Sequence, residues 1–301
     1  MKIQTANNSQ LVKNYLDNFN FWGFASLNRP KYEYQNNFCY FTKVPNEFVR
    51  RDIYKSWGVN RILLIVYILI ARNKSFENKS YISIGKVLST CGYKLQKHKP
   101  KIFYEVIKAI LFLKANCFIE TDFDINTIGY DNLIEMKIIE NNFIPTGGFV
   151  RIYGRDFDKI MSLKANISNE NVLLCYLYIS SYIPCRKLNE DGSEKIDAKE
   201  TPEAFYMSIT KMASNLSMSK DTINRCLDCL TNNENGNEPL LIKKEVGSIQ
   251  LDKSKPPQNV PNIYVHNKSG YDREIQWAMD KLLQMYKVDK FYPMIKNRKE
   301  I

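Results

Sequence analysis

Two stretches of the chain carry the same succession of apolar and polar positions. FTKVPNEFVRRDIYKSWGVNRILLIVYILIARNK from Phe41 and FVRIYGRDFDKIMSLKANISNENVLLCYLYISSYIPCRK from Phe149 each open on a short alternating segment, which predicts a strand. Phe41, Lys43 and Val44 match Phe149, Arg151 and Ile152. A second phenylalanine follows, then an apolar run in which Leu63, Leu64 and Tyr67 match Val172, Leu173 and Tyr176. Helical spacing in both runs predicts buried helices.

A second matched block lies downstream. YISIGKVLSTCGY (81–93) aligns without gaps on YMSITKMASNLSM (206–218), with Tyr81, Ser83, Ile84 and Lys86 on Tyr206, Ser208, Ile209 and Lys211. Each block places a serine just before a helical turn, where a hydroxyl caps free backbone amides. A tight turn and a third helix follow; Val106, Ile110 and Leu113 match Ile223, Leu227 and Leu230. Strand-like sequence closes each repeat: CFIE and LIEMKII in the first, LLIKKEVGSIQL, the loop KSKPPQN and NIYVH in the second. Helix, helix-turn-helix and hairpin is the order of a winged helix. A generic α+β domain uses the same elements, but the order occurs twice. The expected fold is α+β, mostly α, with two tandem winged-helix domains. The boundaries are an N-terminal arm at 1–40, domains at 41–146 and 147–268, and a C-terminal helix and tail at 269–301.

Charge then narrows the partner. Lysine and arginine outnumber aspartate and glutamate 43 to 32, a formal +11, and such a balance favours a polyanion because neutralising phosphates releases counterions. A membrane surface is also anionic, so charge alone does not choose. The longest apolar run, Ile62 to Ala71, is too short to span a bilayer, and MKIQTANNSQ has no secretory h-region. Seven cysteines scattered through apolar stretches are no disulfide framework. A reducing, cytoplasmic setting is expected.

The second repeat offers a recognition helix capped by Ser219 and running through KDTINRCLDCLTN. Ile223, Cys226, Leu227 and Leu230 form its buried stripe, leaving Lys220, Asp221, Asn224, Arg225 and Asp228 outward. Asn224 and Arg225 are the candidate base readers, since both side chains can bond a base edge bidentately in the major groove. Ser217, Ser219, Lys220 and Thr222 are candidate phosphate contacts, although a solvated helix face would carry the same residues. Lys243 and Lys244 on the strand, with Lys253 and Lys255 in the loop, would make a basic wing. The first repeat inserts KLQKHKPK, which gathers Lys94, Lys97, Lys99 and Lys101 at a helix start, with Pro100 expected at its first position. Its own hairpin carries Glu120, Asp122, Asp124, Asp131 and Glu135; it should repel phosphates and face protein.

Catalytic chemistry finds no support. The two histidines, His98 and His266, lie far apart without metal-ligand spacing, and no glycine-rich phosphate loop occurs. Cys226 and Cys229 form a CxxC, but Cys226 falls on the apolar stripe, so core packing is expected. No carboxylates pair for acid-base work, and no cofactor or metal is implied. The N-terminal segment reads as a short helix and extended arm packing on the first domain, or as a partner-docking segment. REIQWAMDKLLQMY is amphipathic, with Ile275, Ala278, Met279, Leu282 and Tyr286 on one side, for packing on its own domain or pairing subunits. NEDGSEKIDAKETPE (189–203) reads as a surface loop, and KVDKFYPMIKNRKEI as a basic tail.

The run from Phe149 through LLCYLYISSYI, SITKMASNLSMSKDTINRCLDCL and LLIKKEVG resembles the winged helix-turn-helix modules of phage and plasmid replication proteins from low-GC Gram-positive bacteria. Ser219, Thr222 and Arg225 fall on that module's S-x-x-T-x-x-R pattern, while Ser217 replaces its usual turn glycine. The tandem arrangement is similar to iteron-binding plasmid initiators, which grip one repeat with two winged helices. The likeness covers roughly residues 41–266, with no family motif in the first repeat. It implies a non-enzymatic, sequence-specific double-stranded DNA-binding protein that initiates replication at repeated origin sites and recruits host replication proteins. A transcriptional regulator of a mobile element and a winged-helix protein–protein adaptor are the alternatives; monomer and homodimer both stay open.

Overall fold

The two opening strands, matched in sequence, pair with each other. A computed structural model of the chain describes residues 41–50, 58–96, 98–139, 148–164, 166–184, 201–232, 238–250 and 256–288. In it β1 (Phe41–Pro45) runs antiparallel to β5 (Phe149–Tyr153), with Phe41 opposite Tyr153 and Lys43 opposite Arg151. Lys43 and Arg151 are equivalent in the repeat, so a pseudo-two-fold axis passes between them. The side chains obey the same symmetry. The Lys43 ammonium lies 5.0 Å from the Phe149 ring centroid and the Arg151 guanidinium 5.1 Å from that of Phe41. Such contacts contribute about 0.5–1 kcal/mol each where exposed.

From this ribbon each half unfolds the same order of elements, to which the second adds a two-stranded ribbon and a last helix. The first half continues through α1 (Asn46–Arg50), α2 (Ile62–Arg72), β2 (Lys79–Ile82), α3 (Ile84–Thr90), α4 (Lys101–Ala115), β3 (Ile119–Thr121) and β4 (Ile134–Ile138). The second continues through α5 (Gly154–Met161), α6 (Asn169–Tyr182), β6 (Phe205–Tyr206), α7 (Ile209–Leu216), α8 (Lys220–Thr231), β7 (Leu241–Lys244), β8 (Ser248–Ile249), β9 (Gln258–Asn259) and β10 (Ile263–His266), then α9 (Tyr271–Tyr286). The sheets have the orders β2-β4-β3 and β6-β10-β7, all antiparallel. In both, the last strand lies between the strand that follows the long helix and the strand that follows the helix pair. The architecture is mixed α+β with helices predominating.

The long helices make the centre. Every residue from Ile62 to Ile70 is buried on α2, and every residue from Val172 to Ser180 on α6. A helix apolar all round belongs inside a core, and these two pack on each other. One hydrophobic cluster runs from Val44 through both helices to Leu230 and Tyr264, so the described residues form one unit. The short helices cross over. Arg50 of α1 donates to Ser181 Oγ at 3.0 Å and lies over the Tyr182 ring of α6. Arg72 of α2 in turn holds Asp158 of α5 bidentately at 2.6 and 3.0 Å.

The halves differ at the outer sheet face. In the second half that face carries Ile263, Val265 and the partly buried Tyr206 and Ile242, and α9 covers it with Ile275, Ala278 and Leu282. Thus the amphipathic C-terminal helix packs on its own chain. Among the described residues no helix is long and apolar enough to cross a membrane. The arm at 1–40, the 146/147 boundary, most of the 189–203 loop and the tail beyond 288 lie outside the described residues.

Candidate nucleic-acid interface

The helix-turn-helix geometry recurs bond for bond. Ser83 accepts from Lys86 N at 3.1 Å and Ser208 from Lys211 N at 3.3 Å, each capping the first helix of its pair. At the turn, Tyr93 N bonds Leu88 O at 2.9 Å and Met218 N bonds Ala213 O at 3.0 Å, the six-residue closure of a Schellman cap. That closure needs a left-handed residue. Gly92 supplies it at φ +81, and Ser217 adopts it at φ 51, ψ 47. The serine therefore keeps the turn geometry at some backbone cost.

The candidate recognition helix of the second half, α8, has the expected buried and exposed faces. Ile223, Cys226, Leu227 and Leu230 are buried; Lys220, Asp221, Asn224, Arg225 and Asp228 are exposed. Cys226 contacts the equally buried Cys175 of α6, which anchors α8 on that helix. Ser219 caps α8, accepting from Thr222 N at 3.0 Å and lying 2.9 Å from Thr222 Oγ1. Both hydroxyls are thus engaged in building the helix start. Arg225 pairs with Asp221 at 2.9 Å one turn earlier. An exposed i,i+4 pair is worth about 0.3–0.5 kcal/mol, below the roughly 1–3 kcal/mol of a bidentate base contact. The pairing does not withhold Arg225 from a guanine edge.

The hairpin that would be the basic wing is two short ribbons. The single strand expected over LLIKKEVGSIQL breaks at Gly247, whose φ is +107; β7 pairs with β10, and β8 with β9. Lys244 is exposed, Lys243 pairs with Glu245 at 3.1 Å, and Lys253 and Lys255 lie outside the described residues.

In the first half Lys94 and Lys101 are exposed, Lys97 lies outside the described residues, and Lys99 turns inward. Its ammonium donates to Ile128 O at 2.6 Å and sits 5.0 Å from the Phe103 ring. Pro100 takes the N-cap of α4, one position earlier than expected, because the helix opens at Lys101. The acidic loop between β3 and β4 folds back on this end. Tyr130 accepts at its carbonyl from Gly85 N at 2.8 Å, donates its hydroxyl to His98 O at 3.2 Å, and stacks edge-on to Phe103 at 5.1 Å. A Cβ at Gly85 would stand 2.9 Å from that carbonyl, so glycine allows the approach. Of the described first-half lysines, Lys99 is therefore committed inward while Lys94 and Lys101 stay exposed.

Two exposed residues on α4 escaped the sequence reading. Lys108 is equivalent to Arg225 by the Ile110/Leu227 match and is paired within its own helix, to Glu105 at 3.1 Å. Tyr104, 46% exposed, stands one turn before it. The repeat alignment itself carried the signal for Lys108; Tyr104 had none, since its helical face depends on where α4 packs. Among the described residues no group of three or more His, Cys, Asp or Glu could hold a metal ion. No family model matches the chain, and no curated protein matches it in sequence.

Proposed function

We propose that the chain is a sequence-specific double-stranded DNA-binding protein built from two winged-helix modules, acting as a replication initiator at repeated origin sites rather than as an enzyme. One observation carries the DNA-binding reading: both halves share one order of elements and strands, the same serine cap and the same left-handed turn, and α8 leaves that turn with a polar outer face. The pseudo-two-fold supports a single chain gripping one site with two recognition helices. Asn224 and Arg225 would read bases, with Lys220, Lys244, Lys94 and Lys101 on phosphates. The initiator role itself rests on the resemblance of 149–247 to plasmid and phage replication modules. The acidic first-half loop favours protein, such as host replication proteins, as a second partner on that side; taken alone it supports the adaptor alternative.

Selection from random duplexes at two salt concentrations, repeated with Arg225→Ala, tests this. An enriched motif that weakens with salt and relaxes at one base pair, by about 1–3 kcal/mol, is expected. Direct repeats of the motif would favour initiation, and an inverted repeat a transcriptional regulator. No enrichment would sink the DNA reading in favour of the adaptor.

A further inference from the structure

Each half reaches into the helix-turn-helix of the other. Arg61, at the head of α2 in the first half, donates from Nη1 to Asn171 Oδ1 at 2.7 Å and from Nη2 to the carbonyls of Leu216 at 2.9 Å and Ser217 at 3.1 Å. Those carbonyls end α7 and begin the second-half turn. They are among the acceptors that a helix leaves without an internal partner, and a cation there also meets the negative end of the helix dipole. In the opposite direction, Tyr93 of the first-half turn donates its hydroxyl at 2.8 Å to Glu170, in the first turn of α6.

These two contacts are symmetry mates. Counting from the matched Leu63 and Val172, Arg61 and Glu170 occupy equivalent positions. Tyr93, on Met218 in the gapless alignment, is the residue just after the left-handed Gly92, as Met218 follows Ser217. The place is kept while the chemistry differs: a guanidinium on carbonyls one way, a phenol on a carboxylate the other. Glu170 is 4% exposed, and its Oε2 has no hydrogen-bond partner among the described residues. Burying such a group costs stability unless it is fully bonded, so net stabilisation is a poor account of it. Directionality is a better one. Partial burial and the neighbouring Glu170 carboxylate push the Tyr93 hydroxyl above its ordinary pKa, which keeps it protonated as a donor.

We propose that Arg61 and the Tyr93–Glu170 pair are crossed positioning groups, each fixing the turn of the opposite half. The orientation of α8 then depends on a first-half residue, and that of α4 on a second-half residue. The consequence for base preference rests on the DNA-binding reading above; the mechanical claim does not.

The test uses the full chain with Arg61→Ala, Arg61→Lys and Tyr93→Phe, and two readouts. Amide exchange should rise roughly tenfold or more across 217–223 in Arg61→Ala, the scale of a lost charged hydrogen bond, with 92–94 unchanged. Tyr93→Phe should do the reverse to a smaller extent, and Arg61→Lys, which keeps the charge, should restore part of the protection. In duplex selection, Arg61→Ala should relax preference only at the base pairs that depend on Arg225. Equal loosening of both turns, or of neither, would overturn the positioning role; so would unchanged preference at the Arg225 base pairs. A wild-type chain that enriches no sequence would remove the DNA reading, and the crossed exchange pattern would still decide the positioning. If Arg61→Ala does not fold, Tyr93→Phe, which deletes a single hydroxyl, still decides the crossing.

Discussion

The two halves share a plan and part company at their outer surfaces. On the first-half sheet the outward residues are Tyr81, Glu120, Glu135 and Lys137, with Lys79 half-buried beside them. Cross-strand pairs settle most of that charge: Lys79 with Glu135 at 3.3 Å, and Lys137 with Glu120 at 3.1 Å. Tyr206, the counterpart of Tyr81, lies instead under α9. A sheet face is finished in two ways here, by a ladder of opposite charges facing water or by a second small core. The loops differ in the same spirit. The acidic first-half loop is pinned to the start of α4, whereas the second-half hairpin turns at Gly247 into a separate ribbon. The first-half sheet therefore ends in a face of paired charges, and the second half leaves Lys220, Asn224, Arg225 and Lys244 exposed. The difference teaches that two halves built on one plan need not present two equivalent outer faces.

The sharpest way to break that comparison is to uncover the second sheet. Leu282 is fully buried at the centre of the α9 contact. Leu282→Ala should cost about 2–4 kcal/mol, the range for a buried leucine that leaves a cavity. Thermal unfolding should register the loss, and amide exchange should place it in β6, β10 and α9 with β2–β4 spared. Uniform loosening of both sheets would mean that the small core is no separate cooperative layer.

Acid should separate the halves next. His266 ends β10 against the Tyr176 ring, at 5.9 Å between centroids. Burial, and then the Lys268 charge, hold its pKa down to about 4 from an ordinary 6.5, with Glu203 opposing. A depressed histidine pKa means that the unfolded chain takes up the proton first. The stability held by the neutral form is complete above about 6.5 and is lost as pH falls towards about 4, at no more than about 1.4 kcal/mol per pH unit. Denaturant unfolding of wild type and His266→Gln between pH 7 and 4 checks this. The variant should have the shallower slope; parallel curves would reject the assignment. The only other histidine, His98, is exposed in the first half, so this route to acid loosening belongs to the second.

Much of the frame was legible because it is local. Serine caps, the apolar stripes of α2, α6 and α8, and the matched turn need only residues within a few positions of each other. What the sequence withheld is what packs on what. Nothing in FTKVP says that it will pair with FVRIY, because alternation names a buried face and not its partner. The inward turn of Lys99 required knowing that the loop bearing Ile128 and Tyr130 folds back. Arg61 and Glu170 stand at polar helix starts that local pattern cannot tell from others, and their contacts exist only across the pseudo-two-fold. Nor could Leu240–Leu251 be divided at Gly247 by pattern, since residues on both sides remain apolar or β-prone.

The turn offers the smallest contrast, since both halves close it with the same bonds around one left-handed residue. Gly92 and Ser217 close the same Schellman bonds with positive φ, and only the glycine does so without a Cβ. A non-glycine residue in that region costs about 1–2 kcal/mol, offset in part by the greater freedom of glycine in the unfolded chain. No heavy atom stands within 4 Å of a Cβ built at Gly92, so strain in the backbone and not a clash sets the effect. Ser217→Gly should therefore raise stability by roughly 0.5–1 kcal/mol and Gly92→Ser lower it by a similar amount. The double exchange should return near wild type, because the two turns sit in different halves. Chemical denaturation of the three variants reads this directly. Destabilisation by Ser217→Gly would mean that the serine side chain holds the turn through a bond worth more than the strain it costs, and the two turns would then differ in mechanism as well as in residue.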